Sequence, residues 1–123
     1  MFLKFRSIYS HFLSVVTAVN KEVLTGTTTE ISCKVTSLTA ALKTEKWEKS
    51  DGTDVTMGVQ GYTSNDGVFD NGSQTTTLDV AGELNTVDMT YNCLITPSTQ
   101  DDATEISTAV TLNIFSMYSK SNL

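Results

Sequence analysis

Both cysteines of the chain, Cys33 and Cys93, fall on stretches in which apolar and polar residues alternate. Alternation of this kind is the period of a half-buried β-strand, whose successive side chains point to opposite faces. In "TEISCKV" it puts Ile31, Cys33 and Val35 on one face and Glu30, Ser32 and Lys34 on the other. In "DMTYNCLI" it gathers Met89, Tyr91, Cys93 and Ile95. Each cysteine therefore points inward, on strands that several others separate in the chain. That is the arrangement needed to bridge two facing sheets.

Two further runs share the pattern. "QTTTLDV" places Thr76, Leu78 and Val80 together, and "ISTAVTLNI" aligns Ile106, Thr108, Val110, Leu112 and Ile114. Between the runs lie "SDGT", "NDG", "DNGS" and "AGE". Asp-Gly and Asn-Gly supply the positive φ angles of tight turns. The stretch "TAALKTEK" has the look of a short helix but is brief, uncapped and runs straight into Trp47. Short strands at this spacing predict an antiparallel sandwich or barrel.

A chain of 123 residues holds one domain. Its apolar fraction of 39% is low for a globular domain, and a small core often relies on a covalent staple. A net charge of −6 argues against nucleic acid, because phosphate contacts need clustered Lys and Arg. Lys43, Lys46 and Lys49 come near one another, but as a solvated strand face. No run of 18 apolar residues is present, so no direct membrane insertion is expected. The N-terminus, "MFLKFRSIYSHFLSVVTAV", carries Lys4 and Arg6 like a signal peptide, yet Ser7, Ser10, His11 and Ser14 interrupt its apolar stretch. We read residues 1–11 as a terminal segment (a weak signal peptide or a truncated start), 12–116 as the domain and 117–123 as a tail.

Taken in order, "ISCKV", "KWEKSDG", "LDV" and "TYNC" resemble the immunoglobulin superfamily over roughly residues 15 to 115. The family's hallmark is Cys on strand B, Trp on strand C and Tyr-x-Cys on strand F. The resemblance implies an immunoglobulin-like Greek-key β-sandwich of two antiparallel sheets. It implies one inter-sheet disulfide, Cys33 to Cys93, over Trp47, with the Tyr91 hydroxyl bonding back to the backbone at the E–F corner. Read without the resemblance, two buried free thiols in a cytosolic sandwich remain the alternative. The spacing leaves room for strands C, C′, D and E, closest to the intermediate, or I-set, type. Two positions depart from the pattern. Val87 stands where the family has Asp, with Asp88 following, and Glu45 stands two residues before Trp47 where an apolar side chain is expected.

Chemistry-bearing residues are few. His11 is the only histidine, so no catalytic triad or zinc site is assembled on the pattern. No phosphate-binding or dinucleotide loop occurs. Asp66, Asp70 and Asn71, and separately Asp101, Asp102 and Glu105, are the oxygen-rich loops that calcium would require, but they lack the EF-hand spacing and read as solvated turns. We expect no cofactor and no enzymatic activity. "NGS" at 71–73 makes Asn71 an N-glycosylation candidate on a D–E hairpin. Disulfide and resemblance together imply an extracellular, non-catalytic recognition or adhesion module, secreted or part of a cell-surface ectodomain. Its partner would be a protein ligand, met by a sheet face or by loops. The loop candidates are Gln100, Asp101 and Asp102, in the acidic stretch that Pro97 opens. The competing expectation is a spacer among neighbouring immunoglobulin-like domains of a tandem surface protein.

Overall fold

The computed structural model describes residues 15–98 and 105–117. The expected positions His11, Gln100, Asp101 and Asp102 lie outside the described residues. Eight strands follow in order: β1 (Val15–Ala18), β2 (Lys21–Leu24), β3 (Thr29–Thr36), β4 (Leu42–Lys49), β5 (Tyr62–Asn65), β6 (Gln74–Val80), β7 (Met89–Pro97) and β8 (Ile106–Phe115). A short 3₁₀ turn, Gly82–Leu84, joins β6 to β7. The helix-like stretch before Trp47 forms no helix, as its lack of caps predicts, and from Leu42 onward it is strand β4.

The strands form two four-stranded sheets, ordered β1-β3-β6-β5 and β2-β8-β7-β4. The first edge strand is divided between them: β1 pairs antiparallel with β3, and β2 pairs parallel with β8. Asn20 marks the crossing, where its side-chain oxygen accepts the Thr111 amide at 2.8 Å. Inward residues follow the period-two reading. Ile31, Cys33 and Val35 of β3, Thr76, Leu78 and Val80 of β6, and Tyr91, Cys93 and Ile95 of β7 are buried. With Trp47, Val55, Val110 and Leu112 they form one core between the sheets.

The registers define two poles. One carries the β3–β4 and β5–β6 connections and the end of β7; the other carries the β2–β3, β4–β5 and β6–β7 connections.

The expected C′ strand is not formed. After β4 the chain makes only an isolated bridge between Glu48 and Asp54 before crossing to β5 in the other sheet. The local chemistry explains this. Asp51 accepts the Thr53 amide at 2.9 Å and Asp54 the Thr56 amide at 2.8 Å, so two side-chain turns consume the amides a strand would use. Gly52, Gly58 and Gly61 at positive φ bend the segment further. "AGE" joins β6 and β7, which lie in different sheets, and Gly82 begins the 3₁₀ turn across the core's end.

Candidate functional site

The centre of the molecule is a four-residue crosspiece. Cys33 and Cys93 form a disulfide, with Cα atoms 6.5 Å apart, inside the usual range for such a bridge. In register beside Cys93 stands Trp47, and beside Cys33 stands Thr76. The fully buried Trp47 donates its indole Nε1–H to the Thr76 hydroxyl at 3.3 Å. That hydroxyl in turn donates to the Asn65 carbonyl at 3.2 Å. The two sheets are thus tied covalently through their central strands and by a hydrogen bond one strand further out.

Tyr91 is buried as expected, but its hydroxyl has a different partner. It meets the Tyr62 hydroxyl at 3.2 Å, and the rings pack edge to face with centroids 5.9 Å apart. Burial, then the Tyr62 hydroxyl, holds the Tyr91 phenol well above the usual tyrosine value. The β6–β7 corner is pinned by Asn85 instead. Its buried side-chain amide donates to the Thr27 carbonyl at 2.8 Å, while its backbone carbonyl accepts the Gly26 amide at 3.0 Å. Gly82 lies so near this second loop that an added Cβ would strike the Gly26 carbonyl. Asp88, displaced by one from the family position, accepts the Ile114 amide at 2.7 Å, and Val87 is left exposed.

Glu45, the apolar position occupied by a carboxylate, faces inward at the outer edge of β4. It lines a cleft with Thr56, Met57, Tyr62, Ser64 and Asp66, between the open edges of the two sheets. Gln74, the buried first residue of β6, hydrogen-bonds two of these residues and β4. Its amide nitrogen donates to Asp66 O at 2.9 Å and to Glu45 Oε2 at 3.3 Å, while its oxygen accepts the Leu42 amide at 2.9 Å. Burial, then the charge and hydrogen bond of Asp66, push the Glu45 carboxyl up to about 7; the Gln74 amide opposes them.

Asp70 and Asn71, weighed above as calcium ligands, build a two-residue hairpin. Asp70 and Ser73 exchange backbone hydrogen bonds at 2.8 and 3.0 Å, and Asn71 and Gly72 both take positive φ. Asn71 sits exposed at its tip. Among the described residues no three His, Cys, Asp or Glu side chains gather to hold a metal ion. None of their helices is long and apolar enough to cross a membrane.

Sequence reasoning missed Gln74, Asn85 and the Tyr62–Tyr91 pair. Gln74 had a readable signal, as a polar residue in phase with inward Thr76, Leu78 and Val80. Asn85 and Tyr62 had none, since their partners are distant in the chain.

No protein-family profile matches the chain, and no curated protein matches it. Solved structures do. The first immunoglobulin domain of mouse SynCAM 2 superposes with a TM-score of 0.59 at 11% identity, over 83% of this chain and 96% of that one. The BTLA ectodomain gives 0.56 at 14% identity, over 82% and 99%. A chimeric titin Z1Z2–Z1Z2 tandem gives 0.54 at 15% identity, over 83% of this chain and 49% of that longer one. With two facing sheets, a disulfide between them and these structural neighbours, the chain has the fold of an immunoglobulin-like domain.

Proposed function

We propose that this immunoglobulin-like domain is a non-catalytic extracellular recognition module that binds a protein partner. The observation that carries the reading is the buried Cys33–Cys93 disulfide, which calls for an oxidising compartment. One similar structure is by its name an ectodomain, in keeping with that placement. For the contact surface we favour the outer face of the β2-β8-β7-β4 sheet. There Lys46, Leu94 and Ser107 stand in one cross-strand row and Glu48, Asn92 and Ala109 in the next. Uncharged side chains at its centre, with charges at the rim, suit a protein interface.

Asn71 lies on the pole at which β7 ends. A glycan there would shield that pole and direct partners to the sheet face. Secretion from glycosylating cells should give a mass shift that an N-glycan amidase removes and Asn71→Gln abolishes.

The test of the main reading is a screen of the oxidised domain against a panel of secreted ectodomains. A specific partner lost on Leu94→Arg, with the melting temperature unchanged, supports it. No partner, or one indifferent to this substitution, counts against the face.

A second reading, a spacer in a tandem array, has its own support. Leu24 and Phe115 are in register, both partly exposed, at the pole opposite Asn71, with exposed Met117 following. One similar structure is itself a tandem. Burial of Phe115 in a longer product carrying a following module would favour this reading.

A further inference from the structure

The two-residue turn at Asn71 and Gly72 carries a chemistry of its own besides that of a glycan acceptor. Asn71 is the only asparagine of the chain that glycine follows. A carboxamide in that position can close on the next backbone nitrogen, because glycine puts no Cβ in the way. Asp51 and Asp66 also precede glycines, and the structure separates the three pairs by what each glycine amide does. Gly52 donates to the Lys49 carbonyl at 2.8 Å, and Gly67 donates to the Asn65 side-chain oxygen at 2.7 Å. The Gly72 amide has no acceptor among the described residues. The Asn71 side chain is exposed beside it. At Gly72 even an added Cβ would meet nothing nearer than the Leu38 carbonyl at 3.6 Å. The peptide thus has room to turn about the Asn71 Cα–C bond, as ring closure requires.

We propose that Asn71, when it carries no glycan, is a site of spontaneous succinimide formation that ends as isoaspartate and unties the β3–β4 connection. The Gly72 nitrogen attacks Asn71 Cγ and gives up its proton. The Cγ–Nδ2 bond breaks, and Nδ2 leaves as ammonia. Water then opens the cyclic imide at one of its two carbonyls. Attack at Cγ restores the main chain, with aspartate at 71. Attack at the main-chain carbonyl leaves the chain running through Cβ and Cγ, one carbon longer, as isoaspartate. Neither product keeps the amide nitrogen on which a glycan is built, so conversion destroys the glycosylation site.

The longer product also disturbs the fold. The turn closes over two residues because Asp70 and Ser73 exchange backbone hydrogen bonds at 2.8 and 3.0 Å. The Gly72 carbonyl accepts the Leu38 amide at 2.9 Å, a contact that seats the β3–β4 connection on the hairpin. Leu38 belongs to the core, and Ser37 before it is held at positive φ. An extra main-chain carbon between Asn71 and Gly72 cannot preserve both the closed turn and the place of that carbonyl.

The experiment is incubation of the oxidised, unglycosylated full chain at mildly alkaline pH, followed by peptide mapping with mass spectrometry. A synthetic peptide of residues 68–75, free of the fold, sets the interval. Over the time that converts the peptide, we expect Asn71 of the folded chain to exchange its amide for a carboxyl, chiefly as isoaspartate. Asp51, Asp66 and the other asparagines should remain unaltered. Asn71 intact when the peptide is spent, or conversion at Asp51 or Asp66 ahead of it, overturns the proposal. Amide hydrogen exchange at Leu38 reads the structural half. Protection should fall roughly tenfold in the isoaspartate form, as loss of one hydrogen bond implies. It should stay level in Asn71→Asp, which adds the charge without the carbon. Equal protection in all three forms, or the same fall in Asn71→Asp, overturns the untying.

Discussion

Trp47 and Thr76 are hydrogen-bonded across the core at 3.3 Å, each one strand outward from a half of the disulfide. The indole N–H is fully enclosed, and Thr76 is its partner. A threonine at an inward position of β6, where Leu78 and Val80 follow in phase, is therefore there for its hydroxyl. Thr76→Val keeps shape and volume but leaves the indole donor unsatisfied, at a cost of about 1–3 kcal/mol. Thr76→Ser should recover most of that. Urea unfolding of the three forms measures both effects; equal stability of the valine and serine variants would contradict the role.

The Tyr62–Tyr91 pair joins the edge strand β5 to the central strand β7. Tyr91→Phe should cost about 0.5–1.5 kcal/mol, since one hydroxyl bond is lost, and Tyr62→Phe a similar amount. Because the two losses remove a single interaction, the double variant should cost less than their sum. Strict additivity in that cycle would mean the hydroxyls act separately.

At the β6–β7 corner, Gly82 packs against the Gly26 carbonyl and donates its amide to the Thr28 hydroxyl at 3.0 Å. Its φ is ordinary, so the requirement is for space, not for backbone freedom. Gly82→Ala should lower stability by about 1–3 kcal/mol, as overpacking does. Gly52→Ala, where no atom crowds the new methyl but φ is +94°, should lose stability through backbone strain alone. Thermal melts compare them. A neutral Gly82→Ala would show that the two loops can separate freely.

The strands with a buried inner face were legible because burial writes a period of two into β3, β6, β7 and β8. Trp47 and Tyr91 were legible through their spacing from the cysteines. The absent C′ strand was not: "SDGTD" reads as a turn, but only the structure shows its two aspartates taking up the amides that would extend a hairpin. The Tyr91 contact was misassigned because the displaced Asp88 and buried Asn85 reorganise the corner it was expected to serve. Glu45 shows how a departure from pattern becomes informative. At a position meant for an apolar side chain, the carboxylate marks the place where the sandwich edge is open and polar.

The most direct measurement is peptide mapping of unreduced protein, alkylated while unfolded, by mass spectrometry. The expected result is a single cross-linked peptide pair containing Cys33 and Cys93, with neither thiol alkylated. Prior reduction should cost about 2–5 kcal/mol of stability and raise Trp47 emission. Two alkylated cysteines in the unreduced sample would remove the covalent tie between the sheets, and with it the extracellular reading.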